Sequence, residues 1–272
     1  MHASAQDKAR VFRRAYLAEV ETTALTVLDV GSAIVDGQSL SNRDVMANPA
    51  WALRGMDIEP GLNVDIVVAD PYDWTEIASG SVDVVTCSEV FEHAEFFWIT
   101  MLEIARVLKG NGLAFITSPG GGPRHRFPVD CWRFYDDAFP ALARYAGLTL
   151  LEAQVQWVPA YRKGIQWRDS SAVMQKPARD LAATRLDAAR ASIGRSLRGP
   201  EPALHEIVLS NLPDAPCPLS PIAPLTGRNA FRAREAELLA GESVALRKTR
   251  LVLRQLREIR RIIATPMRDL HL

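Results

Sequence analysis

Thr26-Val27-Leu28-Asp29-Val30-Gly31-Ser32-Ala33-Ile34-Val35-Asp36-Gly37 decides the fold. An apolar run closes on Asp29, turns through Gly31 and the small pair Ser32-Ala33, and reaches another glycine at Gly37. Such a run, ended by turn residues, predicts a buried parallel strand feeding a tight loop. Glycine in that loop lets a ligand lie against backbone, because no Cβ intervenes. In open α/β sheets ligands bind beyond the carboxyl ends of the strands. The stretch therefore predicts a nucleotide-type cofactor site.

The rest of the chain alternates strands and helices. Residues 5–20 predict an amphipathic helix, with Ala9, Phe12, Tyr16, Leu17 and Val20 on one side. Strands are expected at 25–30, 53–57, 64–69, 82–87, 113–117 and 148–158, and helices at 39–47, 95–108 and 137–146. Lys109-Gly110-Asn111-Gly112 reads as a helix C-cap. Alternation of this kind implies a doubly wound, mostly parallel sheet in a Rossmann-like α/β fold. Residues 175–193 read as helix. Residues 204–212 read either as a seventh strand, making 160–200 an insertion, or as a helical turn. Prolines at 213, 216, 218, 221 and 224 mark a linker. Residues 228–263 read as one long helix. The expected organisation is an N-terminal helix (1–24), a cofactor-binding domain (25–158), a helical insertion with a possible last strand (159–212), a proline-rich linker (213–227) and a basic C-terminal helix (228–272).

Composition narrows the function classes. At 272 residues and 48% hydrophobic the chain can bury one α/β core with an appendage. Its net charge is zero, so no global field favours nucleic acid. Cys87, Cys131 and Cys217 are far apart and lack metal-ligand spacing, which argues for a reducing compartment and against a disulfide scaffold or zinc site. No apolar run reaches the roughly 20 residues that span a bilayer, and no apolar signal core opens the chain. A cytoplasmic protein with no resident metal is expected. In the tail, Val252, Leu256, Ile259 and Ile263 form a heptad-like stripe on a basic helix. It fits packing on the domain, a homodimer, or peripheral contact with an anionic membrane.

A dinucleotide fingerprint would need glycine at positions 33 and 36, where Ala33 and Asp36 stand. That weakens a NAD-dependent reductase reading. Five segments instead resemble the class I S-adenosylmethionine-dependent methyltransferases, in particular the type 11 small-molecule group: LDVGSAIVDG, GMDIEPG, VVADPYDW, VDVVTCSEVFEH and ARVLKGNGLAFITSP. The departure is Ala33, where glycine is usual. The resemblance implies S-adenosyl-L-methionine as cofactor. It places Gly31, Ser32 and Ala33 on the methionine part, with Gly37 closing the loop, and Asp29 orienting the loop and the amine. Asp57, with Ile58 beside it, would take the ribose hydroxyls; Asp70, with Pro71 and Tyr72, the adenine; and Ser88 and Glu89 would lie under the sulfur. Taken alone, Asp29 also fits a turn or helix cap. Acids at three successive strand ends are harder to explain as caps.

Methyl transfer to a hydroxyl needs alignment and a base. His93, in Ser88-Glu-Val-Phe-Glu-His93, and His125 are the candidate bases, with Asp130 as a third catalytic candidate. The segment His125-x-x-Pro128-x-Asp130-x-Trp132-Arg133-Phe134 resembles a subset associated with sugar and surface-glycan pathways. It would face the acceptor and implies Arg126, Trp132 and Arg133 as acceptor-binding residues. A purely structural loop is the competing reading: His93 orders its turn, Trp132 and Phe134 are core, and Arg133 pairs with Asp130. The expectation is O-methylation of a small molecule or glycan. N-methylation and a non-catalytic cofactor-binding scaffold are the alternatives.

Overall fold

A computed structural model describes residues 1, 3–35, 38–39, 41–155, 167–178 and 181–198. The chain divides into two units, Met1–Glu201 and Pro202–Leu272. The second unit lies outside the described residues, and with it the expected 204–212 strand, the proline-rich linker and the basic helix. Gly37 also lies outside them.

Seven strands are described: β1 (Leu25–Val30), β2 (Trp51–Asp57), β3 (Ile66–Val67), β4 (Val82–Ser88), β5 (Leu108–Ser118), β6 (Thr149–Val155) and β7 (Ser170–Gln175). They form one sheet in the order β3-β2-β1-β4-β5-β7-β6. The first five run parallel to one another, whereas β7 is antiparallel to both β5 and β6. Five α-helices are described: α1 (Ala3–Phe12), α2 (Asn42–Met46), α3 (Phe97–Val107), α4 (Ala138–Ala146) and α5 (Leu181–Ser196). This is the Rossmann-like α/β fold expected from the alternation.

Strand alternation builds two cores. Leu28, Val30, Val85, Cys87, Ala114 and Ile116 face one side, where α3 and α4 supply Met101, Ile104, Phe139 and Leu142. Val27, Val84 and Phe115 face the other, where Ala9, Phe12, Leu17, Val45 and Met46 cover them. Phe12 stacks on Phe115 with centroids 4.9 Å apart. The amphipathic N-terminal stretch is therefore a lid on the sheet. It continues past α1 as a π-helical turn (Arg13–Leu17) and a 3-10 turn (Ala18–Val20).

Three local readings need correcting. Lys109–Gly112 does not cap a helix. Helix α3 ends at Val107 with Leu108 already extended, and β5 begins at once. Asn111, at φ 66°, makes the bend there, and Lys176 brackets it: Asn111 N donates to Lys176 O at 2.8 Å, and Lys176 N to Gly112 O at 2.9 Å. Ser170–Gln175, a stretch assigned to the insertion, is the seventh described strand; short, serine-rich and lacking clean alternation, it gave no period-2 signal. The last described helix accordingly starts at Leu181, not 175. The helix expected at 39–47 is only α2, begun by Ser41, whose Oγ accepts from Asp44 N at 3.3 Å.

Candidate active site

The carboxyl ends of β1, β2 and β4 meet around the Gly31 turn. Gly31 sits at φ 72°, and a Cβ there would stand 2.2 Å from Val90 Cγ2. Only glycine fits that conformation and that approach. The amides of Gly31 and Ser32 donate to Met56 O at 2.9 and 3.1 Å, and Ala33 N donates to Asp57 Oδ2 at 2.9 Å. The loop is thus pinned to the end of β2. Gly55 makes this possible by a different route: a Cβ there would lie 2.0 Å from Asn63 O, the carbonyl that also accepts from Ser32 Oγ at 3.1 Å.

Asp29 ends β1 at 3% exposure. Its Oδ1 accepts from Thr86 Oγ1 at 2.7 Å and Asn42 Nδ2 at 2.9 Å, and Asn42 Nδ2 also reaches Ser88 Oγ at 3.0 Å. A polar chain therefore joins β1, α2 and β4 beneath the loop. Burial, opposed by those two bonds, pushes the Asp29 carboxyl up to about 6. The sequence reading missed Asn42 and Thr86 as partners of Asp29; a small polar residue in the middle of β4 was the signal for Thr86. Glu89, at φ 59°, is a left-handed non-glycine residue, a strain typical of working sites. Its Oε1 accepts from Thr117 Oγ1 at 3.0 Å.

The amine of Met1 donates to Gln38 Oε1 at 2.5 Å. Burial lowers its pKa, while the carboxylates of Glu89, Glu92, Asp169 and Asp29 favour its charge.

The Asp57 oxygens also accept from Ile58 N, at 2.7 Å, and Ile58 is exposed. Each carboxylate oxygen keeps a second acceptor site for a ribose hydroxyl. Asp70 is engaged: Arg198 grips both its oxygens and Tyr72 N donates to Oδ1 at 2.8 Å. Burial works against its charge, but these partners hold its carboxyl below the ordinary range. Arg198 also lies over the Tyr72 ring at 5.4 Å, and Pro71 is exposed beside it. Arg198 was not foreseen, because it is far along the chain.

The acceptor loop is stitched to the β4 turn. Cys131 N and Trp132 N donate to Glu92 O at 2.7 and 3.3 Å, and Phe134 N donates to Pro119 O at 2.9 Å. Gly120 N and Gly121 N donate to Arg168 O and Trp167 O, extending the β5–β7 pairing. His93 Nδ1 lies 2.6 Å from Val129 O, and the His93 and His125 rings meet edge to face at 4.8 Å. Burial lowers the His93 pKa below the ordinary imidazole value. Asp130 accepts from His125 N at 2.7 Å and pairs with both terminal nitrogens of Arg133, at 2.5 and 2.9 Å. With its side chain 2% exposed, Asp130 braces the loop instead of facing an acceptor, and Arg133 is its clamp. Phe134 is core, but Trp132 is 38% exposed, anchored through Nε1 to Ala94 O and Glu95 O. Arg126 is exposed. The structural reading of the loop thus fits Asp130, Arg133 and Phe134, while the two histidines and Trp132 remain presented.

Residues 37–116 match the family described as "Methyltransferase domain". That match covers 80 of the 272 residues. Solved structures similar to this chain include the CurJ carbon methyltransferase, at 10% identity and TM-score 0.48, covering 64% of this chain and 54% of that one. Another is the Burkholderia thailandensis 1,6-didemethyltoxoflavin-N1-methyltransferase, at 15% identity and TM-score 0.48, covering 64% and 79%. A third is a SAM-dependent methyltransferase from Aquifex aeolicus, at 15% identity and TM-score 0.43, covering 64% and 98%. No curated protein matches the chain in sequence. Among the described residues no helix is long and apolar enough to cross a membrane.

Proposed function

We propose that this chain is an S-adenosylmethionine-dependent methyltransferase that methylates a hydroxyl of a small molecule or glycan, and that Asp29, Gly31, Ser32, Ala33, Asp57, Asp70, Ser88 and Glu89 hold its cofactor. S-adenosylmethionine supplies a methyl already activated on sulfonium, so the chain's task is alignment and removal of the acceptor's proton. One observation carries the hydroxyl assignment. His93 and His125, from the turns that follow two adjacent parallel strands, are brought ring to ring beside the cofactor mouth. A hydroxyl needs such help; an amine needs less. The exposed rings of Phe127, Trp132 and Tyr135 on the same loop suit the apolar face of a sugar.

The test is calorimetric titration with S-adenosylmethionine, wild type beside Asp57→Ala, followed by acceptor screening with His125→Ala. Loss of the ribose contact weakens cofactor binding about tenfold, or 1.4 kcal/mol, and His125→Ala removes most of the O-methyl transfer. Cofactor binding indifferent to Asp57 would refute the ribose assignment. Full turnover by His125→Ala on an amine would establish N-methylation instead.

A further inference from the structure

We infer that Glu92, His93 and His125 form a site for a divalent transition-metal ion of the zinc type, at the junction of the β4 turn and the acceptor loop. Among the described residues these three each offer a ligand atom, and the three atoms lie within 4.8 Å of one another. The expectation of no metal rested on cysteine spacing, which cannot register a set of histidine and carboxylate ligands assembled from two loops.

The hydrogen bonds fix which nitrogen is offered. A carbonyl oxygen only accepts, so the 2.6 Å contact to Val129 O places the His93 proton on Nδ1. Nε2 then presents a lone pair, and it stands 3.5 Å from Glu92 Oε1. Two acceptors face each other at that distance, an arrangement a cation between them would stabilise. An imidazole that donates its other N–H to a backbone carbonyl is also the usual form of a metal-bound histidine. Two ligands on a tetrahedral zinc, each at about 2.0–2.1 Å, stand about 3.3 Å apart. The Glu92–His93 pair is already close to that spacing, and a ring rotation of His125 would close the third side.

The supporting shell is present. Glu92 O receives the amides of Cys131 and Trp132, and Asp130 receives the amide of His125, so each half of the cluster is tied to the other or to its own loop. The Glu92 side chain is fully buried, whereas those of His93 and His125 are 12% and 22% exposed. The histidine side therefore faces the outside and leaves a coordination position toward an incoming ligand. Two imidazoles and one carboxylate with an open position select zinc or a similar first-row ion over magnesium.

The metal site does not depend on the methyl-transfer reading; only its catalytic use does. If the acceptor is a hydroxyl, its oxygen would occupy the open position, lose its proton to solvent, and attack as the alkoxide, forming the O–CH3 bond as the S–CH3 bond breaks. His93 and His125 would then act through the ion.

The experiment is calorimetric titration of the chelator-stripped full chain with Zn2+ alone, repeated with Co2+ to read its visible absorption, and with Mg2+ as the hard-ion control. One equivalent of Zn2+ is expected, with a tetrahedral Co2+ spectrum and no Mg2+ binding. His93→Ala and His125→Ala should each weaken Zn2+ on the order of 100-fold, and Cys131→Ala should not. His125 is on an exposed loop, so its variant keeps the fold; an unchanged circular dichroism spectrum checks this. Absence of stoichiometric Zn2+ in the wild type overturns the inference, as does full affinity in both histidine variants. The cofactor titration on the Asp57 pair contains no metal, so failure there leaves this result standing, and the reverse holds.

Discussion

Asp29→Asn separates what the cofactor pocket costs the fold from what it gives the ligand. In the free protein the Asp29 carboxyl is held at about 6 against an ordinary 3.8, first by burial, with Asp57 adding a little and Thr86, Asn42 and Arg43 opposing. At about 1.4 kcal/mol for each tenfold change, carrying the charge at neutral pH costs the fold about 3 kcal/mol. A carboxyl whose pKa is raised on folding keeps its proton longer in the native state. Its contribution is therefore most favourable below about pH 4, declines as the pH rises to about 6, and is flat beyond. Asparagine keeps an acceptor for Thr86 and Asn42 and cannot ionise. At pH 7 the variant should unfold at higher urea, by up to about 3 kcal/mol, and the difference between the two proteins should shrink toward pH 4.

Binding should show the opposite preference. A ligand bringing an ammonium and a sulfonium favours the ionised Asp29, so affinity should be full above pH 6. It should fall about tenfold between pH 7 and pH 5, where about ten in eleven carboxyls of the free protein are protonated. Calorimetry with S-adenosylmethionine at pH 5, 6 and 7 reads this directly. Asp29→Asn should bind more weakly at pH 7 and show no such fall. A wild-type affinity flat from pH 5 to 7, or a slope that survives in the variant, would refute the assignment of Asp29 to the cation.

Two other substitutions probe the same mouth. Gly31→Ala forces a Cβ to within 2.2 Å of Val90 at φ 72°; it should destabilise the fold by about 1–3 kcal/mol and abolish measurable cofactor binding, and chemical denaturation with calorimetry checks both. Arg198→Ala releases the Asp70 carboxylate. Because the pair is partly exposed, stability should change by less than about 1 kcal/mol, while cofactor affinity should rise if the adenine amine takes the same oxygens. An unchanged affinity would remove Asp70 from the adenine site.

What was legible in the sequence was whatever a short segment determines by itself. Val27-Leu28-Asp29-Val30-Gly31 is strand and turn on local grounds, and the β1 boundaries follow from it. β4 likewise starts where its apolar run starts. β7 was not legible, because its pairing with β5 and β6 is non-local and Ser170-Ser171-Ala172 has no strand-like period. The same divide runs through the site. Asp29, Gly31 and Asp57 announce themselves at strand ends. The partners that set their chemistry do not: Asn42 comes from the next helix, Val90 from the fourth strand's turn, and Arg198 from beyond the last described helix.

The two halves of the site are built differently, and this bears on what each can become. The cofactor half rests on strand ends and on buried bonds such as those of Asp29 and Asn42, so a change there strains the sheet. The acceptor half is a loop held by a few links: Glu92 O, Val129 O, Pro119 O and the Asp130–Arg133 clamp. Loops that follow adjacent parallel strands must emerge side by side, and β4 and β5 are adjacent. That alone brings His93 to His125, whatever lies between them in sequence. Arg126 and the exposed faces of Phe127 and Trp132 project from this loop, with Trp132 anchored through Nε1 to Ala94 O and Glu95 O. On the proposed reading, acceptor choice should therefore reside in those exposed faces, while the histidine pair and Glu92 would set the chemistry performed on whatever they bind.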